Sequence, residues 1–166
     1  ESKLSGLFEG RLRRIDVTTG TATRVPLSDA VLRDYVGGSG LGAKILLDEG
    51  AAVLDPLSPE APLVFAFSPL VGSPLTTSAK FAVVSKSPLT NRFNDSLASS
   101  GFAVSGKRSG CDAILIVSRA AELSVLVIDD GQVRLESAED VRGESCPSTE
   151  EKLRARLGTD FRIASI

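Results

Sequence analysis

Two five-residue runs, LVFAF at 63–67 and AILIV at 113–117, contain no polar residue. Runs this short read as strands rather than helices, and a strand without polar alternation has no solvent face. Residues 123–128, LSVLVI, continue the apolar, β-branched pattern. These segments constrain the chain more than any other feature, because they demand a sheet whose central strands are buried.

The other elements are placed around them. Residues 8–17 and 21–25 flank Thr18-Thr19-Gly20 and read as a hairpin. Ser28 is an N-cap for a helix over 29–35, with Val31, Leu32 and Tyr35 on its inner face. Gly37-Gly38-Ser39-Gly40 breaks that helix, and 41–49 resumes one with Leu41, Ile45 and Leu46 inward. Residues 54–62 are a proline-punctuated connector, 69–74 a turn region, 81–85 a strand and 88–95 a loop. Residues 99–108 read as a short helix weakened by Gly101 and Gly106. Asp129-Asp130-Gly131 joins 123–128 to a strand at 133–135. Residues 138–142 make one helical turn, and Ser148 with Glu151 forms a capping box for a helix ending at Gly158. Residues 161–166 are strand-like.

This order gives an α+β fold with mixed or antiparallel sheets and a few helices. Two hairpins, each followed by a capped helix, suggest two related halves. Strict βαβ alternation is missing, which argues against a doubly wound sheet. The 166 residues, 42% of them hydrophobic, are expected to form one domain, 1–166. The opening Glu1-Ser2 reads as a trimmed or tagged start. The apolar segment at 161–166 reads as a cut inside a longer protein or as the end of a truncated gene.

Composition also excludes chemistry. The net charge is −2 with signs well mixed, so nucleic acid is not an expected partner. No run of 18 apolar residues occurs, so no membrane span is expected. There is no histidine, which removes His acid–base chemistry and a Cys/His zinc site. Cys111 and Cys146 read as small, reduced, buried residues. Asp16, Asp48, Glu49 and Asp95 form no pair whose spacing argues for catalysis.

Three stretches carry candidate binding chemistry. GGSGLGAK at 37–44 is glycine-rich and opens a helix, but it fits neither the P-loop nor the dinucleotide fingerprint, and a corner needing positive φ accounts for it. Thr77, Ser78 and Lys80 stand at a strand rim, where hydroxyls and a point charge suit an anion; taken alone, an ordinary solvated strand end accounts for them better. Ser96 to Gly101 places small residues and backbone N–H groups at a helix start.

Several blocks, taken in order, carry a resemblance: GRLRRIDVTTG, YVGGSGLGAKILLDE, DPLSPEAPLVFAFSPLVGSP, TTSAKFAVVSKSPLT, SGKRSGCDAILIV and FRIASI. Together they resemble the N-terminal domain of the aldehyde ferredoxin oxidoreductase family of tungsten (or molybdenum) pterin enzymes. The resemblance implies a base on which a bis-pterin metal cofactor with a bridging magnesium sits. It implies cofactor contacts from Thr77, Ser78, Ala79, Lys80, Ser96, Leu97, Ala98, Ser99, Ser100 and Gly101, with the Leu97 backbone carbonyl on the magnesium and no catalytic side chain in this domain. It further implies a cytoplasmic enzyme oxidising aldehydes to acids, with downstream helical domains, an iron–sulfur cluster held there, and ferredoxin as electron acceptor. The isolated domain is expected to be inactive and to self-associate through surface meant for partner domains. Departures from the family pattern are Lys80 for Arg, Leu97 for Asn, Ser99-Ser100 for Gly-Gly and Ser39 for Arg. Two other readings stand beside this one: a cofactor-free structural or binding module, and a phosphate-binding module for another nucleotide-like ligand.

Overall fold

In the computed structural model, residues 6–166 are described; the reading of Glu1-Ser2 lies outside them. The buried runs become the centre of a six-stranded mixed sheet in the order β2-β1-β6-β3-β4-β5. The strands are β1 (Arg11–Asp16), β2 (Thr21–Pro26), β3 (Leu63–Phe67), β4 (Lys80–Lys86), β5 (Phe93–Ser99) and β6 (Ala113–Val117). β1 and β6 are parallel, and every other pairing is antiparallel. β7 (Ser124–Asp129) and β8 (Gln132–Ser137) form a separate two-stranded ribbon. The α+β expectation holds. The two hairpins fall in different sheets, although each is followed by a serine-capped helix.

Each face of the sheet has its own core. On the first, α2 (Gly38–Asp48) lays Leu41, Ile45 and Leu46 over Leu12, Val64, Ala66, Ala82, Val84 and Leu115. Gly42 makes this close approach feasible, since a Cβ there would stand 2.5 Å from Val84 Cγ2. On the second face, α3 (Gly101–Arg108) and the ribbon cover Ile15, Phe67, Phe81 and Ile114. Phe65, Phe67, Phe81 and Phe102 cluster there, with ring centroids 5.2–6.4 Å apart. A small third core of Ala138, Val141 and Leu153 lies under α4 (Cys146–Leu157).

Local signals explain the ends. Ser28 Oγ accepts from Val31 N–H and starts α1 (Asp29–Tyr35); Leu32 is buried but Tyr35 is exposed, contrary to the expected inner face. α2 begins at Gly38, three residues earlier than expected, with Gly38 at φ +53° after the corner. α4 is capped by Ser145, whose hydroxyl accepts from Ser148 N–H, so the Ser148–Glu151 box does not form. Cys146 is exposed at the first position of α4, not buried. Residues 161–166 have no ladder bonds and do not form the expected strand.

Candidate functional site

The main departure from expectation lies at the site itself. Residues 93–99, expected as loop and helix start, form the edge strand β5, and α3 begins only at Gly101. Asn, Asp and Ser are poor strand formers, so only the pairing with β4 makes this segment a strand. Every residue of β5 is exposed on both faces.

The pairing brings the two predicted halves together. Lys80 stands opposite Ser99, and Ala82 opposite Leu97. Ser100 N–H donates to Ala79 O at 3.1 Å, and Lys80 N–H to Ser78 O at 2.7 Å. Thr77 takes φ +59°, rare for a β-branched residue, as the chain turns into β4. Ser100 then caps α3, accepting from Phe102 N–H at 3.2 Å. Thr77, Ser78, Ala79, Lys80, Ser96, Leu97, Ala98, Ser99, Ser100 and Gly101 thus form one continuous corner.

The phase of the ladder decides which backbone groups are free. Ladder bonds run from Ser87 N–H to Arg92 O and from Ser100 N–H to Ala79 O. Antiparallel partners alternate between bonded and non-bonded pairs, so within β5 Asn94, Ser96 and Ala98 turn their N–H and C=O toward β4. Phe93, Asp95, Leu97 and Ser99 present theirs outward from the open edge. The Leu97 carbonyl therefore faces away from the sheet, and its side chain is 72% exposed.

Lys80 shares its face of the sheet with Leu97 and Ser99. Among the described residues it is the lysine with neither a hydrogen bond nor an ion pair: Lys44, Lys86, Lys107 and Lys152 all have partners. An exposed ammonium with free donors beside outward backbone groups can bind an oxyanion.

Two contacts at the corner were not legible in the sequence. Ser39, at the start of α2, donates to the Asp95 carboxylate and ties the glycine-rich corner to β5. Arg162 lies across the start of α3, with Nε 2.9 Å from the position a Gly101 Cβ would take. Neither pair has a sequence signal, since local spacing is silent about partners so far apart.

The remaining polar groups are structural. Asp112, 1% exposed, accepts from the N–H groups of Glu9, Gly10 and Arg11 and pairs with buried Lys107. Burial pushes the Cys111 thiol above its ordinary value, opposed by the hydrogen bond with Ser109. The Thr18 N–H holds the Asp16 carboxyl below its usual value at the first hairpin turn. Asp48 pairs with Lys44, and Glu49 with Arg14 at 3.4 Å. Among the described residues no three His, Cys, Asp or Glu side chains cluster to hold a metal ion, and no helix is long and apolar enough to cross a membrane.

The family described as "Aldehyde ferredoxin oxidoreductase, N-terminal domain" matches residues 12–166. A tungsten-containing aldehyde ferredoxin oxidoreductase of Pyrococcus abyssi is 34% identical over 162 residues, 96% of this chain and 26% of the relative. The Pyrococcus furiosus enzyme of that name is 31% identical over 95% of the chain and 26% of its own length. The active-site complex BamBC of benzoyl coenzyme A reductase, solved with 1,5-dienoyl-CoA, superposes with a TM-score of 0.86 at 30% identity, over 91% of this chain and 23% of that one. The chain therefore spans about a quarter of the length of the curated relatives it matches. With collinear similarity from β1 to residue 166 and a shared fold, the chain belongs to the family of aldehyde ferredoxin oxidoreductase N-terminal domains.

Proposed function

We propose that this domain holds a tungsten (or molybdenum) bis-pterin cofactor for an aldehyde-oxidising enzyme, at the corner made by residues 77–80 and 96–101. The observation that carries this reading is the β4–β5 register, which leaves the Leu97 carbonyl outward on the open edge and sets the unpaired Lys80 opposite Ser99. The residues present fit the group. Lys80 would supply a charge for a phosphate, Ser99 an outward N–H, and the Leu97 carbonyl a ligand for a magnesium ion. Gly101, with no Cβ, leaves room for Arg162. Lys80 offers a point charge without the planar fork of an arginine, so it recognises a phosphate less directionally.

When bound, such a cofactor supplies the two-electron chemistry that converts an aldehyde to an acid. This chain's own residues would bind and orient it. Substrate enclosure, the iron–sulfur cluster and delivery to ferredoxin belong to the rest of the full-length protein, with a cytoplasmic location.

The test is metal and pterin content of the full-length gene product from its own host, by elemental analysis and fluorescence of the oxidised pterin. Tungsten or molybdenum with about two pterins per metal, reduced severalfold by Lys80→Gln, supports the reading. A folded protein containing neither metal nor pterin overturns it and leaves a structural module.

A further inference from the structure

The face of the sheet opposite α2 carries a charge arrangement that the cofactor corner does not use. Arg13 and Arg24 are direct cross-strand partners in β1 and β2. Like charges placed directly opposite each other destabilise an antiparallel pair. Here both also approach one glycine: the place a Gly131 Cβ would take lies 3.2 Å from Arg24 Nη2 and 3.8 Å from Arg13 Nη2. Arg13 is 2% exposed, and its guanidinium meets only neutral acceptors, Gly131 O at 2.6 Å and Ser109 O at 2.7 Å. Its Nε has no partner. A buried cation with no carboxylate partner and an unmade hydrogen bond is costly.

The two carbonyls that accept from Arg13 lie on the wall of a cleft of about 660 Å³ between β2, α3, the β7–β8 turn and residues 160–162. Arg24, Arg108 and Arg162 line it, and among the described residues none of the three has a hydrogen bond or an ion pair. Asp129, Asp130 and Asp160 stand on the same wall, with Asp129 engaged by Arg134 at 3.7 Å. The carbonyl end of α3 contributes about half a negative charge, which Arg13 already meets through Ser109.

We infer that this cleft is a second anion site, taking the phosphate group of a small organic molecule between Arg24 and Arg108. The volume falls in the range of small-ligand sites, roughly 300–1,000 Å³. Phe102, Ile128 and Phe161 supply an apolar wall for the organic part. The three aspartates accept from its hydroxyl or amino groups, and they repel a polyanion such as nucleic acid. An anion against Arg24 relieves the Arg13–Arg24 repulsion.

The experiment is calorimetric titration of the full-length gene product with inorganic pyrophosphate at low ionic strength, compared with an R24Q/R108Q variant and with Lys80→Gln. Both arginines are exposed and unpartnered, so their removal leaves the fold intact. Saturable binding that weakens at least tenfold in R24Q/R108Q and is unchanged in Lys80→Gln is the expected result; the Lys80 arm separates this cleft from the cofactor corner. Absence of saturable binding overturns the inference, as does binding that R24Q/R108Q leaves unaltered.

Discussion

Replacing Gly106 by alanine sets two opposed effects of known size against each other. Gly106 lies inside α3, where alanine gains about 1 kcal/mol of helix propensity. On an exposed helix face the substitution would therefore stabilise. Here the new Cβ would stand 2.5 Å from Phe67 Cε1 and 3.0 Å from Cε2, and closer still to Cζ. Ordinary contact begins near 3.4 Å, so the ring must retreat by about 1 Å or more. Phe67 is 1% exposed and backed by Phe81, with ring centroids 6.4 Å apart, and close-packed interiors leave no space for that retreat. Overpacking of this kind costs about 1–3 kcal/mol. A contact this short belongs at the upper end, so the expected net is destabilisation by about 1–2 kcal/mol. Urea denaturation of Gly106→Ala, Phe67→Leu and the double variant measures it. Leucine lacks the Cζ atom, so alanine at 106 should cost little in the Phe67→Leu background, a coupling of about 1–3 kcal/mol. Equal costs in both backgrounds, or stabilisation by Gly106→Ala alone, would refute the packing argument.

Three further outcomes are expected. Asp112→Asn strands the Lys107 ammonium in a buried site and sets an amide NH2 against backbone N–H groups that the carboxylate accepts from, so it should cost about 3–5 kcal/mol, only part of it recovered on adding Lys107→Met, as read by chemical denaturation. In the folded chain one thiol, Cys146, should react quickly with a disulfide reagent while Cys111 waits for unfolding; because burial raises the Cys111 value, stability should fall as pH climbs above 9.0. Glu144 and Glu139 are held below their ordinary value of 4.5 by Lys152 and Arg142 respectively, so the α4 region should loosen as pH falls below 4.5, which hydrogen exchange resolves from the sheet.

Much of the fold was legible locally. The runs 63–67 and 113–117 became β3 and β6 with those bounds, because a five-residue segment with no polar position has one low-energy placement. Ser28 and the corner after Tyr35 were legible because caps and positive-φ glycines are near-neighbour effects. β5 was not. FNDSLAS has the composition of a loop, and it is a strand because β4 offers it a ladder. The Ser148–Glu151 pattern misled because Ser145, three residues earlier, offers the same hydroxyl and captured the helix start.

Taken alone, the sequence determined the buried strands, the α+β class, the absence of histidine chemistry and, through its ordered blocks, the family. These are properties of local composition and order along the chain. The tertiary structure decided what faces what. It turned the Leu97 carbonyl outward while pairing its neighbours, left Lys80 without a partner, tied Ser39 to Asp95, and set Arg13 against Arg24 beside Gly131. The physical reason is that ladder phase and side-chain convergence depend on which distant segments pair. A one-residue slip between β4 and β5 would have turned the Leu97 carbonyl inward and moved the Asp95 side chain to the other face.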